Sequence, residues 1–288
     1  MNNKYVALVV LYCPTEQTVS NLRKFEKNVM KLIVVDNTPK ELKGDYIGQI
    51  GEIGYISSGK NEGLAEALYR GCEKAIQDGY DYVLTLDQDT VVPTETVAAL
   101  IKRAENSNNQ NVAIICPEVY AFKNDGDDVS QSYPVYTCTN NEEECNWVMT
   151  SGSLMNLSLY QRAGKIDKTL FIDHIDIDIG MKFYLIGGKI LRQRGAPVYQ
   201  HLGHSQERQF LWKKIHPMFD SPQRTYYVAR NQIYLAKKYG YTFWKFSNVS
   251  YIKMLIKILF YETNRMEKLQ MFIKGIHDGL LGKMGELR

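Results

Sequence analysis

The feature that most restricts the fold of this chain is the regular alternation of apolar runs and helical segments in its first 120 residues. The apolar runs predict strands over residues 5–12, 31–36, 53–57, 82–86 and 112–120, and helices are predicted over residues 15–28, 62–77 and 94–105. A continuous apolar run is typical of a strand that is covered on both faces. Strands that alternate with helices therefore predict an α/β domain with a parallel, doubly wound sheet.

Polar residues stand where several of these strands end. Asp36 closes the second strand, Asn61 follows the third, and Asp87 closes the fourth. Ligands of doubly wound sheets bind at the carboxyl ends of the strands. We therefore expect a nucleotide at this edge of the sheet.

The fourth strand runs into an acidic turn, Asp87-Gln88-Asp89. Two carboxylates on one turn can hold Mg²⁺ or Mn²⁺, because these ions keep water and substrate oxygens and need only one or two protein carboxylates. A cation at this point would offset negative charge on a departing diphosphate. Acidic turns after strands are common, so the turn alone is weak evidence for a cation. Its position at the carboxyl end of a strand in this sheet strengthens the prediction.

The rest of the chain contains a second acidic segment and a basic, helical region. Residues 147–156 predict a strand that is interrupted by small residues. Residues 171–188 predict the second acidic segment, which leads into a helix. Residues 205–288 hold 15 of the 35 Lys and Arg residues but only 6 of the 32 Asp and Glu residues. This excess favours an anionic partner such as phosphate or lipid headgroups, although a solvated basic surface explains it too. We predict a catalytic domain over residues 1–205 and a helical region over residues 206–288.

The cysteines and the apolar segments bear on the cellular compartment. Five scattered cysteines without a CxxC pair favour free thiols in a reducing compartment. The N-terminal sequence has only a short apolar run and no small-residue cleavage site, so we expect the first strand there and not a secretion signal. No uncharged apolar stretch of about eighteen residues occurs, so no transmembrane helix is expected.

Seven motifs give the chain a resemblance to a known family. They are VVLYCP, VVDNT, KNEGLAEALYRG, TLDQD, TSGSLM, FIDHIDID and YQHLG. In this order and spacing they resemble family-2 glycosyltransferases with the GT-A fold, and among these most of all the bacterial rhamnosyltransferases that build O-antigen and other surface polysaccharides. The resemblance implies a Rossmann-like GT-A domain, with a mostly parallel sheet flanked by helices. It also implies a nucleotide-diphosphate sugar donor and a divalent cation.

The resemblance carries roles onto residues of the first domain. The nucleoside would be bound by Val10, Tyr12, Asp36, Asn61, Gly63 and Asp87. Asp87 and Asp89 would bind the cation, and His201 would be a further ligand, preferred over His204. Helix capping by Asp36 or Asn61 and a tight turn at Gly63 are the structural alternatives. The motif departs from its commonest form at Gln88, where Asp is usual.

The resemblance places the general base at Asp176, in the second-aspartate position of the FIDHIDID motif. Inverting transfer requires a positioned base on the face of the sugar opposite the leaving diphosphate. Ile175 replaces the first acid of the usual pair. Asp173 would bind acceptor or donor hydroxyls, and Asp178 is equally explained as a stabilising charge at a helix N-terminus.

The C-terminal region carries two further predictions. Arg224 or Arg230 could hold a diphosphate through bidentate bonds, or could pack in salt bridges against the sheet. Apolar side chains at helical spacing over residues 252–260, together with Lys253 and Lys257, favour a helix that lies on a membrane surface. Packing against the catalytic domain or in a homo-oligomer interface fits the same pattern. Nucleic acid is not expected, because no recognised binding motif is present.

The resemblance predicts an inverting transfer from dTDP-L-rhamnose to a hydroxyl of a polyprenyl-diphosphate-linked glycan, by a cytoplasmic protein at the inner face of the cell membrane. A donor such as a UDP-hexose or a galactofuranose nucleotide is the first alternative. A sugar nucleotidyltransferase is disfavoured, because YCPTEQ after the first strand has neither a glycine nor a basic residue for a phosphate loop. A non-catalytic sugar-nucleotide-binding protein is disfavoured by the intact Asp87, Asp89 and Asp176.

Overall fold

The computed structural model describes residues 3–44, 54–107, 111–122, 129–135, 144–201, 208–210, 213–215, 221–247 and 250–287. The chain forms two compact units. The first consists of Met1–Lys168 and Ile179–His201, and the second of Thr169–Asp178 and Leu202–Arg288. The short segment Thr169–Asp178 therefore belongs with the C-terminal region, which the sequence did not predict.

One sheet forms the centre of the first unit. Its strands are β1 (Tyr5–Leu11), β2 (Leu32–Asp36), β3 (Gly54–Ser57), β4 (Tyr82–Asp87), β5 (Val112–Ala121), β6 (Tyr133–Val135), β7 (Glu144–Cys145), β8 (Ser153–Asn156) and β9 (Lys189–Gln200). The strand order is β3-β2-β1-β4-β8-β5-β9-β7, and β6 pairs with β5. β1 to β4 are parallel, as predicted, and helices connect β1 to β2 and β3 to β4. Beyond β4 the sheet is mixed, since β8 runs antiparallel to both β4 and β5.

The first three helices that flank this sheet begin within two residues of their predicted starts, whereas the helix after β8 was not predicted. The helices are α1 (Glu16–Asn28), α2 (Leu64–Gln77), α3 (Thr94–Asn106) and α4 (Leu157–Ala163), while α5 (Ile175–Leu185) begins in the second unit and ends in the first. The Thr15 hydroxyl caps α1 by accepting from the Thr18 N–H at 3.1 Å. Gly71 lets α2 approach β1, because a Cβ atom there would lie 2.2 Å from the Leu8 side chain.

The core explains why the apolar runs become strands. Alternate residues of β1, β2 and β4 pack with apolar residues of α1 and α3 in one buried cluster, which includes Val9, Val34, Leu84, Leu22 and Leu100. Removing such side chains from water supplies the main driving force for this layer. The strands are consequently fixed in register, and their carboxyl ends lie together at one edge.

Two expectations need correction. Of the predicted strand at residues 147–156 only β8 is extended, because the backbone turns at Gly152, whose φ is +79°. The expectation of free thiols holds for Cys13, Cys72 and Cys116, but Cys145 is disulfide-bonded.

The second unit is mainly helical. It contains α6 (Pro222–Tyr239), α7 (Tyr251–Phe260) and α8 (Arg265–Leu281), with a small antiparallel hairpin of β10 (Arg208–Phe210) and β11 (Lys213–Ile215). α6 and α8 are in close contact, because Gly275 and Gly279 carry no side chain. A Cβ atom at Gly275 would lie 2.5 Å from the Tyr226 carbonyl oxygen. No helix in the described part of the chain is long and apolar enough to cross a membrane.

Candidate active site

Gln88, the middle residue of the acidic turn, joins that turn to the end of β1. Its Oε1 accepts from the Tyr12 N–H at 2.9 Å, and its Nε2 donates to the Tyr12 carbonyl oxygen at 3.2 Å. A carboxylate cannot make both bonds, because it has no donor. The amide at this position thus ties the acidic turn to Tyr12, which sequence reasoning did not find.

Ser151 supports the same turn from the loop before β8. Its Oγ accepts from the Asp87 N–H at 2.9 Å and lies 2.6 Å from the Thr90 hydroxyl. The side chains of Asp87 and Asp89 are exposed. Their backbone is therefore anchored by neighbouring loops while both residues remain accessible to a ligand. The TSGSLM motif was the signal that could have identified Ser151.

His201 is brought towards the acidic turn by a short strand-like contact. Val91 and Tyr199 exchange backbone hydrogen bonds of 2.8 and 3.0 Å, and His201 follows two residues later. The His201 ring packs on Phe122, with the ring centroids 4.9 Å apart. Desolvation raises the pKa of the Asp89 carboxyl, and the charge of His201 acts in the opposite direction. Asp89 and His201 are thus close enough to interact, while His204 lies outside the described residues.

The acidic turn fits a hard divalent cation that shares its shell with a substrate. Among the residues that the structure describes, no group of three or more His, Cys, Asp or Glu side chains is arranged as a metal site. Asp87 and Asp89 nevertheless provide two exposed carboxylates on one turn. Mg²⁺ and Mn²⁺ accept such a set when substrate phosphates complete the coordination.

Asp36 is buried at the end of β2, with 1% of its surface exposed. Its oxygens accept from the Tyr55 hydroxyl at 2.5 Å and the Thr38 N–H at 2.9 Å, and Lys43 lies 3.4 Å away. Burial alone would raise the pKa of Asp36, but these hydrogen bonds and the positive charge outweigh it and lower the pKa. The burial disfavours the predicted contact of Asp36 with the nucleoside and favours a role in ordering the strand end.

Asn37 and Asn61 form the link between β2 and α2. The Asn37 amide donates to Asn61 Oδ1 at 2.9 Å, and the same oxygen accepts from the Gly63 N–H at 3.0 Å. Gly63 has a φ of +86° at the start of α2, a conformation that favours glycine. The structure therefore brings the predicted Asn61 and Gly63 together at the strand ends. It adds Asn37, which stands beside Asp36 in the VVDNT motif.

Val10 lies in β1, close to the strand ends that carry these residues. In the strand register it stands opposite Val35 on one side and Asp87 on the other. A cavity of about 350 Å³ adjoins this region between α1 and the acidic turn. Asp87 and Asp89 line it, but Tyr12, Asp36 and Asn61 do not. Of the predicted nucleoside residues, Asp87 therefore lines this cavity, whereas Tyr12, Asp36 and Asn61 lie outside it at the strand ends.

In the second unit, Asp173 is held by Arg224. The guanidinium donates to both carboxylate oxygens, with Nε at 3.1 Å from Oδ1 and 3.3 Å from Oδ2. Desolvation raises the pKa of Asp173, although Arg224 acts to lower it. This ion pair gives Arg224 a protein carboxylate as its partner, where the sequence suggested a diphosphate.

Asp178 and Asp176 differ in their surroundings, although both lie in the first turn of α5. Asp178 is 1% exposed, and its carboxylate accepts from Lys238 at 3.0 Å and from the Tyr239 hydroxyl at 2.6 Å. Asp176 is partly exposed. Asp178 thus has a structural environment at the start of α5. The sequence predicted a stabilising charge there, but not the ion pair with Lys238.

Arg230 is fully buried, contrary to the idea that it clamps a diphosphate. Its guanidinium donates to the carbonyl oxygens of Leu170 at 2.9 Å and Gly285 at 2.5 Å. It also lies 4.9 Å from the centroid of the Tyr227 ring. The predicted diphosphate role does not fit Arg230, because its donors are engaged inside the second unit. A structural role is the better description, but Arg230 bonds carbonyl oxygens of the second unit, where the sequence suggested salt bridges against the sheet.

Comparison with known proteins defines the class. Residues 13–167, more than half of the chain, match the family described as Glycosyl transferase family 2. The chain therefore belongs to glycosyl transferase family 2. This agrees with the strand ends, acidic turn and flanking helices described above.

One relative carries a more particular description. The chain is 24% identical over 260 residues to the dTDP-rhamnosyl transferase RfbF of Shigella flexneri. The match covers 83% of this chain and 81% of that protein. The resemblance to rhamnosyltransferases in the motifs thus extends over most of the two sequences.

Solved structures of low sequence identity share the fold. The structure of GalNAc-T7 with UDP, GalNAc and Mn²⁺ matches 98% of this chain with a TM-score of 0.61 and 13% identity. This chain spans 56% of the length of that protein. S. aureus TarS 1–349 matches 97% of this chain and 72% of its own length, with a TM-score of 0.51 and 15% identity. The fold is thus the GT-A fold of glycosyltransferases, as predicted.

Proposed function

We propose that this glycosyltransferase moves L-rhamnose from dTDP-L-rhamnose, with inversion, onto a hydroxyl of a glycan acceptor in bacterial surface polysaccharide biosynthesis. The observation that carries the donor assignment is the 24% identity to a dTDP-rhamnosyl transferase over 83% of this chain. The similarity covers parts of both units. It therefore includes both the acidic turn and residues 171–178, which we call the aspartate segment.

The first unit would bind the donor. The nucleoside would lie against Tyr12, Asn61 and Gly63 at the strand ends, with its diphosphate towards the acidic turn. Asp87 and Asp89 would hold Mn²⁺ or Mg²⁺, and His201 would assist them. The cation would neutralise negative charge on the leaving diphosphate. Gln88 would fix the turn relative to Tyr12 through its two hydrogen bonds.

Asp176 would be the general base that takes the proton from the acceptor hydroxyl. Its neighbour Asp178 is less suited to this role, because only 1% of its surface is exposed, and Asp173 forms an ion pair with Arg224. Asp176 is partly exposed at the start of α5. A base must be within reach of the proton it abstracts, and this accessibility supports the assignment.

The acceptor would be a polyprenyl-diphosphate-linked glycan at the cytoplasmic face of the membrane. The support is an exposed apolar surface on the second unit, where Ile252 is 72% exposed and Phe260 is 64% exposed. Lys253 is exposed on the same helix. Apolar and basic side chains together are typical of a helix that binds an anionic membrane surface.

A panel of nucleotide sugars tests the donor assignment. The protein is mixed with Mn²⁺ and either dTDP-L-rhamnose, UDP-glucose, UDP-N-acetylglucosamine or UDP-galactofuranose, and thermal unfolding is followed together with slow donor hydrolysis. We expect the largest rise in melting temperature and the fastest hydrolysis with dTDP-L-rhamnose, and loss of hydrolysis in EDTA. A preference for a UDP-sugar would overturn the donor assignment while leaving the family unchanged.

A further inference from the structure

The segment that precedes Asp176 has an unusual backbone. Phe171, Asp173 and His174 have φ values of +65°, +65° and +62°, in the left-handed region that residues with a Cβ atom rarely adopt. Such a conformation persists only where surrounding contacts enforce it. Since α5 begins at Ile175, the direction of its first turn depends on how this segment is held.

One buried side chain of α6 contacts three carbonyl groups of the segment. The Nδ2 of Asn231 lies 3.0 Å from the Leu170 carbonyl oxygen, 2.8 Å from that of Ile172 and 3.0 Å from that of Asp173. Asn231 is fully buried. We call Asn231 and these three carbonyl groups the carbonyl clamp.

Arg230 fixes the orientation of the clamp. Its Nε donates to Asn231 Oδ1 at 3.0 Å, and its Nη2 donates to the Leu170 carbonyl oxygen at 2.9 Å. The bond to Oδ1 directs the Asn231 amide nitrogen towards the segment, because an amide has its acceptor and its donors on opposite sides. The pair of adjacent residues thus acts as one unit of buried hydrogen bonds, whose strength is increased by exclusion of water.

We propose that Asn231 is a positioning residue for the general base, acting through the carbonyl clamp on the backbone that leads into Asp176. The inference rests on the proposed role of Asp176. Without the amide donors, three carbonyl groups of the segment lose a partner, and the left-handed residues lose contacts that oppose their relaxation. The first turn of α5 then shifts, and a base displaced by about 1 Å can lose on the order of a hundredfold in rate.

Asn231→Asp is the sharpest test, because the side chain keeps its shape and loses its donors. We expect turnover of the acceptor to fall by at least about tenfold, with nucleotide-sugar affinity changed by less than about twofold. Asn264→Asp, the same substitution at an exposed position before α8, is the matched control and should leave both quantities unchanged. If Asn231→Asp does not fold, Asn231→Ser keeps one donor and should show a smaller loss of turnover.

A double-mutant cycle separates positioning from general destabilisation. If Asn231 acts through Asp176, the change Asn231→Asp should cause little further loss of turnover in an Asp176→Asn background. Equal losses in the two backgrounds, or wild-type turnover of Asn231→Asp, would overturn the inference. Near-normal turnover of Asp176→Asn alone would instead overturn the proposed base. The two failures are therefore distinguishable.

Discussion

The acidic turn of the first unit and the aspartate segment of the second unit both present carboxylates, but the protein holds them in different ways. The acidic turn ends a buried strand, where the Gln88 side chain accepts from the Tyr12 N–H and Ser151 Oγ accepts from the Asp87 N–H. The aspartate segment has a left-handed backbone that is held by Asn231 of α6, much later in the chain. The sheet register positions the first group, whereas buried side-chain contacts position the second.

The largest expected effect concerns the acidic turn. Asp89→Ala removes a carboxylate from the proposed cation site, so transfer should fall by at least about a hundredfold while the melting temperature without ligands stays close to that of wild type. Asp78→Ala, at an exposed carboxylate after α2, is the control and should keep full transfer. Near-normal turnover of Asp89→Ala in saturating Mn²⁺ would show that the turn does not bind the cation.

Acid unfolding should distinguish the two regions. Burial lowers the pKa of His174, in the aspartate segment, from 6.5 to about 4. The unfolded chain therefore binds a proton that the native protein does not, and stability should fall as the pH drops from about 6.5 to 4, by roughly 3 kcal/mol in all. Asp36 in the first unit has a lowered pKa, so its contribution is lost only below its ordinary value of 3.8.

Urea denaturation at pH 7, 5.5 and 4.5 measures how the free energy of unfolding depends on pH. In His174→Gln the free energy of unfolding should depend less on pH over this range than in wild type. An unchanged slope in His174→Gln would mean that His174 does not titrate as its burial requires.

The same contrast explains what could be predicted from the sequence. β1, β2 and β4, with α1 to α3, follow from apolar periodicity and capping, because their positions depend on neighbours in the chain. The grouping of Asn61, Gly63, Asp87 and Asp89 follows from the parallel strand ends. The sequence could also indicate Asp176, but only through resemblance to a family.

What the sequence could not predict depends on contacts between distant residues. Arg230 looks like a phosphate ligand in the motif, yet it is buried among carbonyl groups of residues far away in the chain. Asp36 ends its strand as expected, but Tyr55 and Thr38 occupy its carboxylate. Residue type and spacing identify a charged side chain. Only the tertiary fold shows whether that side chain is occupied by other protein groups or is exposed to solvent.

Gln88→Glu sharpens the account of the acidic turn. The substitution keeps the acceptor for the Tyr12 N–H but removes the donor to the Tyr12 carbonyl oxygen. Loss of one hydrogen bond of about 1 kcal/mol should weaken nucleotide-sugar affinity roughly fivefold, with a smaller change in the turnover of bound substrate. Isothermal titration calorimetry measures the affinity. Unchanged affinity would mean that Gln88 does not help to order the donor site.

The remaining prediction concerns membrane binding by the second unit. Wild type should sediment with vesicles that contain anionic lipid, and less of it should do so in high salt. The double variant Lys253→Glu, Lys257→Glu should reduce binding by roughly 4 kcal/mol at most, since each charge near the surface contributes about 1 kcal/mol and is reversed. Absence of binding by wild type at low salt would favour packing of α7 against another protein surface.

The central claim is that the first unit binds the donor and the second unit supplies the base. The most direct test measures nucleotide-sugar affinity and turnover together for Asp176→Asn and Asp89→Asn. We predict that Asp176→Asn binds donor with near-normal affinity and loses about 10²–10⁴-fold in turnover, whereas Asp89→Asn loses both donor affinity and turnover. If Asp176→Asn keeps more than about a tenth of wild-type turnover, or loses donor affinity as Asp89→Asn does, this division of roles is contradicted.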